Sequence, residues 1–139
     1  MLILNVFLVF LIEFLDILFK YLINENSRLN IGIMKIIYIK NYGAAFGILS
    51  DNIMLFYMIF GLCVMMVTGL YYYCRNFTNF NINIPFLCVL IGGLGNFFDR
   101  INRGFVIDYI KLPIFSAVFN LSDCLICVGI SILIYFFIT

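Results

Sequence analysis

The sequence predicts an all-α membrane protein with four transmembrane helices, a small β-structured segment and an interfacial helix or loop. Of its 139 residues, 65% are hydrophobic, and the mean hydropathy is +1.17. Four apolar stretches stand out, at about residues 2–23, 53–73, 82–98 and 119–138. Because a bilayer core of about 30 Å takes roughly 20 helical residues to cross, each stretch is close to the length of one span. These spans leave room for short connections, so we expect residues 1–139 to form a single integral membrane domain.

The first apolar stretch could also be a secretory signal peptide. It lacks a basic start and a small-residue cleavage site, however, and Glu13 and Asp16 interrupt it. We therefore interpret it as a retained transmembrane helix.

The connection after the first span is mixed in character. Residues 31–40 are rich in β-branched and aromatic side chains, which is typical of a short strand or two. The glycine-containing residues 41–47 predict a turn or a close-approach segment. The second span is uniformly apolar and is expected to serve as scaffold.

The third span begins near Pro85, which suits a first helical turn, and ends in a glycine-rich stretch. Gly92, Gly93 and Gly95 predict close helix packing around the polar end, since small residues let helices approach in lipid. Residues 101–118 combine a few charges with many apolar side chains, as expected for an interfacial helix or loop.

Charge and rare residues exclude several classes of function. A net charge of +1 provides no global field for nucleic acid, so we expect no such partner. The absence of histidine excludes Ser-His and Cys-His nucleophiles and histidine-based metal sites. Cys124 and Cys127 have the spacing of a redox or metal pair, but they lie inside an apolar stretch, and zinc would need two further ligands. We interpret them as small apolar filler and expect no metal.

Most ionisable residues fall at one level of the predicted bundle. If the four spans run up and down, one face collects Asp16, Lys20, Asn41, Asp51, Asn96, Asp99, Arg100, Asp108, Asn120 and Asp123. Ionisable groups in or beside hydrocarbon are costly, so the cluster predicts a functional site.

The chemistry available there is carboxylate chemistry. Two nearby carboxyl groups share a proton, so that one can activate a water while the other polarises a substrate carbonyl. Asp108, in an apolar setting, and Asp123, inside the start of the last span, are the candidate pair, and Asn120 lies three residues before Asp123 on the same helix face. The alternative is that both are interfacial residues that reach for water.

The other polar residues have two competing interpretations. Asp16 and Lys20 are four residues apart, which favours a structural ion pair over direct catalysis. Asn96, Asp99 and Arg100 share one helix end, where a supporting network and substrate binding remain equally open.

Five segments, in order, resemble the bacterial lipoprotein signal peptidases, the signal peptidase II family of aspartic membrane peptidases. They are Asp16-Ile-Leu-Phe-Lys20, Asn41-Tyr-Gly-Ala-Ala-Phe46, Gly95-Asn-Phe-Phe-Asp-Arg100, Val106-Ile-Asp-Tyr109 and Phe119-Asn-Leu-Ser-Asp123. The first segment departs from the family at Ile17 and Phe19, where Gln and Thr are usual, and Ser122 replaces a usual Ala.

The resemblance implies the following roles. Asp108 and Asp123 would be the catalytic dyad; Asn41, Asn96, Arg100 and Asn120 would surround substrate and dyad; Asp16, Lys20 and Asp99 would form the supporting network. The enzyme would cleave a prolipoprotein before a diacylglyceryl-modified cysteine, without a covalent intermediate, metal or organic cofactor. We expect it to act as a monomer in membrane lipid, with residues 31–40 forming an extracytoplasmic β-cradle.

Orientation is where two predictions conflict. Arg28, Lys35, Lys40, Arg100, Arg103 and Lys111 lie on the cluster face, against Arg75 on the opposite one. Counting them would place the cluster in the cytoplasm. The resemblance instead implies a bacterial inner-membrane protein with cytoplasmic termini and a site near the extracytoplasmic face. We follow the resemblance, because several of these cations lie in its functional motifs.

Two other classes of function remain open from composition alone. A small ion channel or carrier could use the intramembrane Asp and Lys residues to line an ion path. A structural membrane-assembly protein would need neither aspartate individually.

Overall fold

The computed structural model of the chain describes residues 2–43, 53–75 and 82–138. These residues form four helices and four strands. In chain order the elements are α1 (Leu2–Leu22), β1 (Arg28–Ile31), β2 (Met34–Asn41), α2 (Ile53–Cys74), α3 (Asn83–Arg103), β3 (Val106–Lys111), β4 (Val118–Phe119) and α4 (Leu121–Ile138). Each helix contains a segment long and apolar enough to cross a bilayer, so the four predicted spans are confirmed.

Helix α3 extends five residues beyond the predicted end of the third span. It ends at Gly104, whose φ of 78° suits the left-handed cap position and whose N–H donates to Arg100 O at 3.0 Å. Arg100 and Arg103 lie in the last turn, where cations interact favourably with the helix dipole. Asp99 and Arg100 therefore lie on the helix end that was predicted to carry them.

Close packing joins α3 to α4. A Cβ added at Gly92 would lie 2.4 Å from the backbone oxygen of Ser122, so a larger residue would force the two helices apart. Helix α1 packs against both through a cluster of Val9, Cys88 and Leu125. The prediction that the glycine-rich end of the third span packs tightly is confirmed at Gly92.

The four strands form one antiparallel sheet in the order β1-β2-β3-β4. Strand β2 confirms the short strand predicted within residues 31–40, and β1, which begins earlier at Arg28, pairs with it in a hairpin. Strand β3 pairs with β2 so that Ile39 lies opposite Asp108, and β4 pairs with β3. The pairing places β3, and with it Asp108, inside the sheet.

The interfacial segment predicted at residues 101–118 differs from the structure. Its centre forms β3, whose residues from Val106 to Ile110 are all buried. The β-branched and aromatic side chains of this run suit a strand, and pairing with β2 satisfies its backbone groups. Residues 112–117 remain a loop, held where Lys111 Nζ donates to the backbone oxygens of Phe115, at 2.9 Å, and Ser116.

A small apolar core ties the sheet to the membrane helices. Ile36, Tyr109 and Ile110 are buried together, and Phe19 of α1 packs against them. The rings of Phe19 and Tyr109 stack with centroids 4.9 Å apart. This contact holds β3 against the end of α1 that carries Asp16 and Lys20.

Candidate active site

Asp108 and Asp123 are held by a common partner, Asn120. Asp108 lies in β3 and Asp123 in the first turn of α4. Asn120 Nδ2 donates to Asp108 Oδ1 at 2.8 Å, and the Asn120 backbone N–H donates to Asp123 Oδ2 at 3.1 Å. The structure therefore brings together the two carboxyl groups predicted to form the dyad.

Asn120 also caps helix α4. Its Oδ1 accepts a hydrogen bond from the Asp123 backbone N–H at 2.9 Å, reciprocal to the bond that Asp123 accepts. This is the geometry of a capping box, which satisfies free N–H groups at a helix start. The predicted placement of both residues on one helix face is corrected, since Asn120 precedes the helix. The outcome is the same, because the cap orients the Asp123 side chain.

Asp108 is buried, with 3% of its surface exposed. Asn41 Nδ2 donates to its second oxygen, Oδ2, at 2.9 Å. Burial raises the pKa of Asp108 to about 6 and the charge of Asp123 acts in the same direction, while the bonds from Asn41 and Asn120 oppose the rise. A raised pKa lets a carboxyl group both hold and release a proton under mild conditions, which is what acid–base catalysis requires.

Asn96 connects Asp123 to the rest of the polar cluster. Its Nδ2 donates to Asp123 Oδ1 at 2.7 Å, and its Oδ1 accepts from Asn120 Nδ2 at 3.1 Å and from Lys20 Nζ at 3.2 Å. One turn later on α3, Arg100 donates to the Asn96 backbone oxygen at 3.1 Å and to the backbone oxygen of Gly43. The predicted surrounding residues thus lie beside the dyad.

The ion pair predicted between Asp16 and Lys20 is present. Lys20 Nζ lies 2.6 Å from Asp16 Oδ2 and 2.7 Å from Asp99 Oδ2, and both Lys20 and Asp16 are buried. Asp99 in turn lies 3.4 Å from Arg103 Nη1. The charges offset one another, which buried ions require.

Two residues to which the sequence analysis gave no role in the site join this network. The Tyr109 hydroxyl donates to Asp16 Oδ1 at 2.8 Å, and the Ser122 hydroxyl donates to Asp16 Oδ2 at 2.8 Å. Burial and the charge of Asp16 raise the pKa of Tyr109, so its hydroxyl stays a donor. The available signal was position, since each residue adjoins one predicted dyad aspartate. Asp51 and residues 44–46 of the second motif lie outside the described residues.

A cavity of about 710 Å³ opens onto the dyad. The polar residues Asp108, Asp123, Asn41, Arg100 and Lys40 line it together with largely apolar side chains. A second, apolar cavity of about 440 Å³ adjoins it and shares Asp123. Two carboxyl groups at the wall of a cavity this large can perform general acid–base hydrolysis on a peptide lying in it.

Known proteins share this sequence pattern. Residues 8–139 match the family described as "Signal peptidase (SPase) II". The lipoprotein signal peptidase of Buchnera aphidicola is 35% identical over 121 residues, which cover 82% of this chain and 74% of the relative. That of Halalkalibacterium halodurans is 39% identical over 98 residues, 68% of this chain, and the match spans 62% of that relative's length.

Solved structures share the fold. A bacterial membrane enzyme solved by the in meso method at 2.3 Å resolution superposes with a TM-score of 0.80 at 24% identity, covering 96% of this chain and 87% of its own. A second, at 1.9 Å resolution, gives a TM-score of 0.75 at 25% identity, covering 94% and 90%. Both likenesses extend over nearly the whole chain.

Proposed function

The chain belongs to the signal peptidase II family, and from this premise we propose that Asp108 and Asp123 are its catalytic pair. Signal peptidase II is an aspartic peptidase that acts on lipoprotein precursors. For this chain we propose an intramembrane endopeptidase that removes the signal peptide of a prolipoprotein before its diacylglyceryl-modified cysteine. The observation that carries the assignment is the hydrogen bonding of both aspartates by Asn120 at one cavity wall.

The reaction needs one carboxylate and one carboxylic acid. The ionised member takes a proton from a water molecule as its oxygen attacks the scissile carbonyl carbon, while the protonated member donates to the carbonyl oxygen. The tetrahedral product then collapses: the C–N bond breaks, the leaving nitrogen takes up a proton from one dyad carboxyl, and a hydroxyl of the tetrahedral product returns its proton to the other as the new carboxylic acid forms. Two carboxyl groups at close quarters cannot both ionise cheaply, so the pair holds the single proton that this cycle requires.

The surrounding polar residues separate into two groups by position. Asn41 and Arg100 line the main cavity, where they can contact a peptide, and Asn41 also donates to Asp108. Asn96 and Asn120 hold the dyad carboxyls and can keep them oriented through the reaction. Asp16, Lys20 and Asp99 are bonded to one another beneath this layer, in a supporting role.

The second cavity suits an acyl chain. Phe115, Ala117, Phe119, Cys124 and Cys127 contribute its apolar walls, and Asp123 lies where it meets the main cavity. A lipid-modified cysteine bound there would place its own peptide bond next to the dyad. The cysteines serve as apolar lining in this arrangement.

The resemblance implies cytoplasmic termini and an extracytoplasmic site, and the bonding of the cations weakens the charge count that opposes this orientation. Arg100 and Lys111 each bond backbone oxygens, and Lys40 lies 2.5 Å from Glu25. Cations already committed to the protein fold are a weaker guide to topology than free loop charges. We propose that the chain is a monomer in the inner membrane, with its termini in the cytoplasm and its site near the extracytoplasmic face.

A channel or carrier would need Asp16 and Lys20 to line a path. Both side chains are instead buried and bonded to each other and to neighbouring protein groups. This bonding favours a structural role for the pair.

The deciding experiment measures cleavage of a diacylglyceryl-modified precursor peptide by purified protein, followed by mass spectrometry. Asp108→Asn and Asp123→Asn should each lower kcat by about a thousandfold while the protein remains inserted, because each removes one proton-transfer group. Glu25→Gln makes the same acid-to-amide change at an exposed surface position and should leave kcat unchanged.

Full activity of either dyad variant would overturn the assignment. The same protein in liposomes should show no selective ion flux, and a flux abolished by Asp16→Asn would favour the channel instead.

A further inference from the structure

Glu13 is a buried acidic side chain that the proposed dyad does not use. It lies on α1, one turn before Asp16, with 8% of its surface exposed. Both of its carboxyl oxygens lie 3.1 Å from the Ser122 hydroxyl oxygen on α4. A carboxyl group inside a membrane-spanning segment is costly, so this placement calls for a role.

The Ser122 hydroxyl faces more acceptors than it can serve. Its oxygen lies within hydrogen-bond distance of both oxygens of Glu13 and of Asp16 Oδ2, yet it carries one proton. If both acids were ionised, one of them would face an oxygen lone pair at about 3 Å in a buried site. A proton on one of the two acids resolves this conflict.

Charge balance assigns that proton to Glu13. Asp16 has a cation, Lys20, at 2.6 Å, and also accepts from the Tyr109 hydroxyl at 2.8 Å and the Leu121 N–H at 2.9 Å. Lys20 is already shared with Asp99. An ionised Glu13 would add a second buried negative charge on α1 beside Asp16, which low-dielectric surroundings penalise strongly.

Helix α3 provides the space for this pair. A Cβ added at Gly95 would lie 1.7 Å from Glu13 Oε1 and 2.9 Å from Ser122 Oγ. The glycine therefore opens a niche in which the Glu13 carboxyl and the Ser122 hydroxyl meet. Three helices thus contribute to one buried contact.

Asp16 links this contact to the dyad. Its Oδ1 accepts from Tyr109, which follows Asp108 in β3, and from the N–H of Leu121, two residues before Asp123. We propose that Glu13 and Ser122 are positioning residues for the cleavage reaction: Glu13, as a neutral acid, donates to Ser122, Ser122 donates to Asp16, and Asp16 holds both segments that bear the dyad. The kinetic part of this proposal rests on the proposed function.

The kinetic test compares two variants of nearly equal size. Glu13→Gln keeps an N–H donor towards Ser122, whereas Glu13→Met fills the niche without one. On the diacylglyceryl-modified precursor, Glu13→Gln should keep the wild-type kcat, and Glu13→Met should lower kcat about tenfold with an unchanged KM, because a small displacement of catalytic groups slows chemistry more than binding. In a Ser122→Ala background the Glu13→Met change should have no further effect on kcat, because the hydrogen bonds from Glu13 through Ser122 to Asp16 are already lost.

A wild-type kcat in Glu13→Met would overturn the positioning role. Equal losses in Glu13→Gln and Glu13→Met would overturn the neutral-donor assignment, since they would show that the carboxyl group itself is required.

An infrared measurement tests the protonation without substrate. The difference spectrum between wild type and Glu13→Gln at pH 7 should contain the C=O band of a protonated carboxylic acid, and a carboxylate band in its place would overturn the proposal. The infrared spectrum decides the protonation state of Glu13 even if Glu13→Met does not fold. Absence of cleavage by wild type, with the acid band present, would count against the proposed function and not against a neutral Glu13.

Discussion

Helices α1 and α2 are close in length, and both are apolar enough to cross a bilayer, yet they hold very different positions in the bundle. The buried residues of α1 are Val9, Glu13, Asp16 and Lys20, which follow one stripe and include three ionisable groups. Along α2, most described side chains are exposed, and contact with α3 is made by aromatic rings such as Phe60 against Phe97. Helix α1 is held in the bundle by its buried polar residues, whereas α2 packs against α3 through apolar and aromatic side chains.

The difference follows from the solvent. Lipid tails are as apolar as leucine, so hydrophobicity drives the insertion of a helix but does not determine which neighbouring helix it packs against. Specific packing in a bilayer comes from hydrogen bonds, ion pairs and small residues. In this chain those features concentrate in α1, α3 and α4, the helices that surround the proposed site.

The largest expected effect is at Lys20. Lys20→Met leaves the buried carboxylate of Asp16 and the partly buried carboxylate of Asp99 without their shared cation, which should cost about 3–5 kcal/mol of folding free energy. The amount of folded protein in the membrane and the Tm in detergent should both fall. In α2, Thr68→Val removes a hydroxyl bonded at 2.8 Å to Val64 within the same helix and should change stability by less than about 0.5 kcal/mol. Equal losses in the two variants would erase the contrast between the helices.

A second test compares glycines. Gly92→Ala places a methyl group against the backbone of Ser122, and the required shift should cost about 1–3 kcal/mol and slow cleavage by moving the first turn of α4. An added Cβ at Gly69, in α2, meets nothing within 4 Å among the described residues. Gly69→Ala should therefore leave Tm and kcat unchanged or raise Tm slightly. A larger loss at Gly69 than at Gly92 would show that α2 is packed more tightly than the described contacts indicate.

The smallest expected effect is at the contact between α2 and α3. Phe60 stacks on Phe97 with centroids 4.2 Å apart and ring planes 9° apart. Phe60→Ala should cost about 1 kcal/mol, measured as a small fall in Tm, with kcat unchanged. Met58→Ala, at an exposed position of α2, is the matched control and should have no effect. A loss of activity in Phe60→Ala would give α2 a part in the site.

The four helices and the candidate aspartates could be predicted from sequence patterns, whereas most of the contacts around them could not. Length and hydropathy predict the four spans, because the bilayer thickness sets the length of a spanning helix and the hydrocarbon core requires apolar side chains. The strand β3 was harder to predict, since an apolar run with a few charges also fits an interfacial segment. Its partner β2 lies on the far side of α2 and α3 in the chain, so no local pattern contains the pairing.

The supporting network shows the same limit to prediction from local spacing. Asp16 and Lys20 are one helical turn apart, and spacing alone predicts their ion pair. The bond from Tyr109 to Asp16 joins residues 93 positions apart, and that from Ser122 to Glu13 joins residues 109 apart. Such contacts follow from three-dimensional packing and have no signature in a single sequence.

The pairing of β3 with β2 has a consequence for biogenesis. Strand register decides which side chain of β3 meets Asp123, and a slip by one residue would present Ile107 or Tyr109 in place of Asp108. If Asp108 belongs to the catalytic pair, as we propose, delivery of the four helices into the bilayer would not suffice for proteolysis. Activity would also require β3 to pair with β2 in this register, so that membrane insertion and activation would be separate events.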